Sequence, residues 1–121
     1  MTSFPAAEPP CVAVIFSSVQ APDTDGYGET AARLEELAAD QPGFLGIESV
    51  RDPATRVGIT VSYWRTEEDA AAWKRVAEHA EAQRLGRQRW YESYRVAVAT
   101  VTRSYAFSAN GERRGRRRTP G

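Results

Sequence analysis

From Val12 to Ser18 the chain is an almost unbroken apolar, β-branched run, the pattern of a strand buried on both faces. The cluster Ala21-Pro-Asp-Thr-Asp-Gly26 predicts a turn after it. Tyr27, Ala31, Leu34, Leu37 and Ala38 then recur mostly three and four residues apart, which predicts a helix. Asp23, Thr24 or Asp25 is placed to cap its start, and Pro42 disfavours helix at Gln41. Phe44–Val50 and Arg56–Trp64 predict two strands joined by the turn Arg51-Asp-Pro-Ala-Thr55. In the second of these, Val57, Ile59, Val61 and Tyr63 fall on one face, and Gly58, Thr60, Ser62 and Trp64 on the other. Thr66 predicts the cap of a long helix with an acidic first turn, Glu67, Glu68 and Asp69, running to about Gly86. A short turn is expected over Gln88–Ser93 and a last strand over Arg95–Phe107.

The order β-α-β-β-α-β, with two helical crossovers and one hairpin, predicts an α+β, ferredoxin-like fold. A four-stranded antiparallel sheet carries both helices on one face. The first and last strands are nonetheless largely apolar on both sides. An apolar sheet face normally marks an interface, and a second copy related by a twofold is the simplest partner. A stable homodimer is therefore expected.

Composition narrows the class. The domain is expected at residues 12–107, with 1–11 as an N-terminal extension and 108–121 as a disordered basic tail. Acidic and basic residues balance at 16 each, but five of the arginines fall at Arg113, Arg114, Arg116, Arg117 and Arg118. The folded part is thus mildly acidic, which argues against nucleic-acid binding by the core. Cys11 is the only cysteine, so neither an internal disulfide nor a cysteine-rich metal site is expected. No stretch approaches the roughly 20 apolar residues of a membrane span. The start lacks a basic leader region, and a cytoplasmic protein is the simplest expectation.

The segment Tyr63-Trp64-Arg-Thr-Glu-Glu-Asp-Ala-Ala-Ala-Trp73 joins a strand ending in an aromatic-Trp pair to an acidic first helical turn and a second Trp. Together with Gln41-Pro-Gly-Phe-Leu-Gly46, it resembles the antibiotic biosynthesis monooxygenase family. The run Glu78-His-Ala-Glu-Ala-Gln83, with Gly86-Arg87 and Trp90-Tyr91-Glu-Ser-Tyr94, is similar to a bacterial subgroup of it. The resemblance covers roughly residues 12–106. It implies a dimeric α+β barrel, with a pocket between sheet and helices in each subunit. Some members oxidise aromatic polyketides with molecular oxygen and neither flavin nor metal; others bind and degrade haem. The haem-degrading branch implies an Asn on the first strand, a Trp ending the third and a His late in the second helix. Trp64 matches, but Ser17 or Ser18 stands near the Asn position and Gln83 at the His position, with His79 one turn earlier.

Independently of that resemblance, His79, Gln83 and Arg87 stand at i, i+4 and i+8, within about 80° on one helical stripe. Beside them, Trp73, Val76, Ala77 and Ala80 form the apolar stripe that must face the sheet. His79 is suited to act as a general base near neutral pH and Arg87 to stabilise an oxyanion. Trp64, Gln83 and Tyr91 are the candidate substrate contacts. The competing arrangement places the stripe on the solvated face, with His79 paired to a carboxylate. Two functions follow. One is a cofactor-independent monooxygenase acting on a small aromatic or enolisable substrate, with no flavin, haem or tightly bound metal. The other is a non-catalytic dimeric small-molecule-binding or stress-related protein of the same fold.

Overall fold

The structure is a computed structural model that describes residues 4–5, 7–22, 27–85 and 90–109, without the side chains of residues 27, 30 and 81–85. Its elements run β1 (Cys11–Gln20), α1 (Tyr27–Ala39), β2 (Phe44–Arg51), β3 (Val57–Trp64), α2 (Glu67–Leu85) and β4 (Tyr91–Val101). The sheet order is β2-β3-β1-β4, antiparallel throughout. This is the expected split arrangement.

The junctions show why the elements end where they do. After α1, Gly43 adopts φ 80°, and its carbonyl accepts the Arg65 backbone N–H at 2.8 Å. Between β2 and β3, Asp52 organises the turn. Its carboxylate accepts the Ala54 N–H and the Thr55 hydroxyl, both at 3.0 Å, and its carbonyl accepts the Arg56 N–H at 2.7 Å. Arg56 is left-handed at φ 66°, so β3 begins one residue later than the alternation predicts. Thr66 caps α2 as expected, its hydroxyl accepting the Asp69 N–H at 3.0 Å.

The last strand needs correction. It runs over Tyr91–Val101 rather than Arg95–Phe107, and residues 91–93 of the expected turn lie in it. The cause is the partner strand. β1 pairs from Cys11 with Val101 to Gln20 with Tyr91, and beyond Val101 no β1 residue remains to bond. Residues 102–108 are all exposed and belong to no regular element.

Residues directly paired across strands share a face, so the register defines both surfaces of the sheet. Val12, Val14, Phe16 and Ser18 face the helices, as do Trp64, Ser62, Thr60 and Gly58 on β3. The core sits at one end of that face. Val12, Ala38, Trp64, Ala70 and Trp73 form its buried centre, flanked by Val14, Leu34, Leu37, Phe44, Val76 and Ala77. Trp64 is fully buried, stacked on Trp73 with centroids 5.8 Å apart and edge-on to Phe44 at 5.5 Å. Its indole N–H donates to the buried Ser62 hydroxyl at 2.8 Å. On the outer face, Val50, Val57 and Ile59 are exposed. Among the described residues no helix is long and apolar enough to cross a membrane.

Candidate functional site

Beyond Val14 the helix-facing surface changes character. The next row across the sheet is Ser49, Thr60, Phe16 and Val96, and the one after is Arg51, Gly58, Ser18 and Tyr94. Phe16 is the hub of an aromatic group, 5.2 Å from Tyr91 and 5.3 Å from Tyr94 by ring centroid, with those two 6.1 Å apart. Tyr91 reaches this group through the register shift between Val19 and Gln20. Tyr94 is 64% exposed, and Val96 and Val98 are also exposed, so neither helix covers this edge.

Hydroxyls and one guanidinium line the same stretch. Ser49 and Thr60 share a hydrogen bond of 2.7 Å. Arg51 donates to the buried Ser18 hydroxyl at 2.8 Å and to the Arg56 carbonyl at 2.7 Å. It lies across Gly58, where a Cβ would stand 2.5 Å from the Arg51 Cζ. Glycine is what lets the guanidinium lie flat on the strand. Arg56 donates to the Gln20 carbonyl at 2.8 Å and to Glu92 at 3.1 Å, tying β3 to β4 across β1.

The residues singled out in the sequence fall in different places. Trp64 presents no surface in the core, four β1 residues from the row of Phe16; at about 3.3 Å per residue that is roughly 13 Å from the Tyr91 group. Trp64 and Tyr91 therefore belong to separate aromatic clusters. Trp73, Val76 and Ala77 face the core as their spacing predicts. His79 is exposed on α2, about 60° round the helix from Val76. The neighbouring carboxylate Glu78 pairs with Lys74 at 2.9 Å, and that pair raises the Lys74 pKa. The Gln83 side chain and Arg87 lie outside the described residues, as do the capping candidates Asp23, Thr24 and Asp25 and the arginine tail. Phe16 and Arg51 were not singled out in the sequence. The alternation in β1 flags Phe16, whereas nothing local flags Arg51, whose role depends on a glycine seven residues away.

Among the described residues no group of three or more His, Cys, Asp or Glu side chains is placed to hold a metal ion. Cys11 is buried, which pushes its thiol pKa up.

The sequence matches the family model described as antibiotic biosynthesis monooxygenase over residues 10–85, more than half its length. The chain belongs to the antibiotic biosynthesis monooxygenase family. It is similar to the uncharacterised protein YqjZ of Bacillus subtilis (strain 168), 55% identical over 103 residues that cover 85% of this chain and 90% of that protein. It is 35% identical over 96 residues to the jasmonate monooxygenase of Pyricularia oryzae, covering 76% of this chain but only 44% of that protein. The fold is similar to that of SnoaB, a cofactor-independent oxygenase from Streptomyces nogalater. The TM-score is 0.60 at 12% identity, over 78% of this chain and 95% of that one. It is also similar to a variant of MhuD with two manganese protoporphyrin IX molecules bound per active site. There the TM-score is 0.61 at 17% identity, over 79% and 99% of the two chains. At such identities the likeness is one of fold.

Proposed function

We propose that this family member is a cytoplasmic homodimeric monooxygenase that oxidises a small aromatic or enolisable substrate with molecular oxygen and no cofactor. Its folded unit spans residues 12–107, with extensions on either side. The observation that carries this reading is the aromatic and hydroxyl-bearing stretch around Phe16, Tyr91 and Tyr94, on the helix-facing surface where the apolar core ends. Flat rings offer stacking surfaces to an aromatic ligand, and the adjacent hydroxyls offer hydrogen bonds to its oxygens. The monooxygenase and oxygenase names of two relatives support the same class.

In this reading the substrate supplies the electrons. A base removes a proton from an acidic C–H beside a carbonyl or phenol, and the carbanion reduces oxygen and combines with it. The hydroperoxide then loses water, so one oxygen atom stays as a carbonyl and the other leaves as water. The protein binds, deprotonates and stabilises charge. His79 is the base and Arg87 the oxyanion partner, with Gln83 and Tyr91 holding the substrate, while Trp64 stays in the core and does not touch it. The test is oxygen consumption with an activated phenol or 1,3-dicarbonyl and no added cofactor. His79→Ala is expected to lower turnover by about 10²–10⁴-fold with fold and dimer intact. Arg87→Ala is expected to lower it by roughly 10²-fold. A His79→Ala enzyme as active as the wild type would remove His79 from the mechanism.

A second reading rests on one observation, the exposure of His79. The chain then binds a small molecule on the same surface without transforming it. Saturable binding of such compounds with no oxygen uptake separates this from the first.

A further inference from the structure

The register sets a polar group and an aromatic group side by side on the helix-facing surface. Phe16 on β1 pairs with Thr60 on β3, and Thr60 pairs in turn with Ser49 on β2. Neighbouring strands lie about 4.8 Å apart, so the hydroxyl of Thr60 stands one strand spacing from the strand that carries the Phe16 ring. Each hydroxyl has one proton and two lone pairs. The 2.7 Å bond between Ser49 and Thr60 uses one of the two protons, whichever residue donates, and leaves the other for a second acceptor. Ser49 is exposed and Thr60 half-buried, so a ligand can reach the pair.

The next row brings a charge to the same place. Arg51 stands two residues along β2 from Ser49, but its guanidinium does not stay over its own strand. It crosses β3 at Gly58 and ends on the Ser18 hydroxyl of β1, with the Arg56 carbonyl holding its other Nη. Both of these acceptors are neutral, and a guanidinium keeps its charge at any ordinary pH. The carboxylates on the adjoining turn and strand are directed elsewhere, Asp52 towards Ala54 and Thr55, and Glu92 onto Arg56. Tyr94, with its exposed ring, is the β4 partner of Ser18. A half-buried cation is thus fixed between a hydroxyl pair and a set of rings.

Such a surface fits a molecule with two unlike ends, one flat and apolar, the other anionic. The spacing between the two groups is short, and a carboxylate one carbon away from a ring spans it. We propose that the ligand taken up here is an aromatic acid. Its ring lies on Phe16, Tyr91 and Tyr94, and its carboxylate accepts from the Ser49–Thr60 pair in the field of Arg51. The inference rests on the function proposed above and narrows its substrate class, from any small aromatic or enolisable compound to one that bears a carboxylate. Arg51 selects the substrate by charge and takes no part in proton transfer.

Binding rather than turnover tests it, in the full chain. 4-Hydroxyphenylacetate and its methyl ester share one ring and differ by one charge. Equilibrium dialysis should show the wild type holding the acid roughly tenfold or more tighter than the ester, the scale of a charge-assisted hydrogen bond. Arg51→Gln should bring the acid down to the affinity of the ester and leave the ester unchanged, which also shows that the variant is folded. Arg51→Lys keeps the charge and should retain part of the preference. Ser49→Ala with Thr60→Val keeps Arg51 and should weaken the acid by roughly tenfold. Phe16→Ala should weaken both compounds alike. A wild type that holds acid and ester equally, or an Arg51→Gln variant that keeps the preference, overturns the inference. Neutral phenols then remain open to the oxygenase reading, whose own assay is oxygen uptake. A preference abolished by Arg51→Gln, with no oxygen uptake from either compound, supports the inference and counts against the oxygenase reading alone.

Discussion

The two ends of the helix-facing surface are built from the same four strands to opposite specifications. At the Trp64 end, rings stack on rings and the Trp64 indole N–H is spent on Ser62. At the Tyr94 end the rings stand beside hydroxyls and a guanidinium, and the edge is open. The first end has nothing to offer a ligand and much to offer stability. The second gives up burial and keeps polar groups beside its rings. The contrast teaches that aromatic residues in this chain have no common role; the row they occupy decides it.

Substitutions can break that contrast. Trp64→Ala is expected to cost about 3–5 kcal/mol, the range for losing a large buried aromatic, whereas Tyr94→Ala should cost under roughly 1 kcal/mol. Chemical denaturation of both variants measures the gap, and equal losses would erase the distinction between the ends. Ser62→Ala comes next at about 1–3 kcal/mol, because it leaves the buried Trp64 N–H without its acceptor. The smallest effect concerns Tyr63 on the outer face. Burial, then the Glu48 charge and hydrogen bond, raise its phenol pKa above the usual 10.0. A raised acid contributes stability in full below its unfolded value, and loses it as pH rises through the folded value. The thermal midpoint should thus fall further above pH 10 in the wild type than in Tyr63→Phe. Superimposable alkaline curves would remove Tyr63 as the cause.

The strand pattern over Val57–Trp64, the Thr66 cap and the apolar stripe of Trp73, Val76 and Ala77 were legible because each is a local property: a period or a hydrogen bond three residues long. The extent of β4 was not, since the length of β1, eighty residues earlier, limits how far it can pair. The separation of Trp64 from Tyr91 was hidden for a similar reason. Both stand at element ends in the sequence, and only the register reveals that these are opposite ends of the sheet. Arg51 escaped notice because its place depends on the missing side chain of Gly58 across the hairpin.

Gly43 has a bearing on how this chain can change over generations. The first turn of α2 occupies the space a Cβ there would need, with the Asp69 carboxylate directly against it, and the Gly43 carbonyl holds Arg65. The exit from α1 and the entry to α2 are thereby locked together. Lengthening either connection would push the other out of place. Insertions and deletions should be purged at residues 40–43 and 65–66 and tolerated, if anywhere in the described chain, at the exposed tip Pro53–Ala54. A family alignment would show constant lengths for the connections at 40–43 and 65–66 and drifting length at the hairpin.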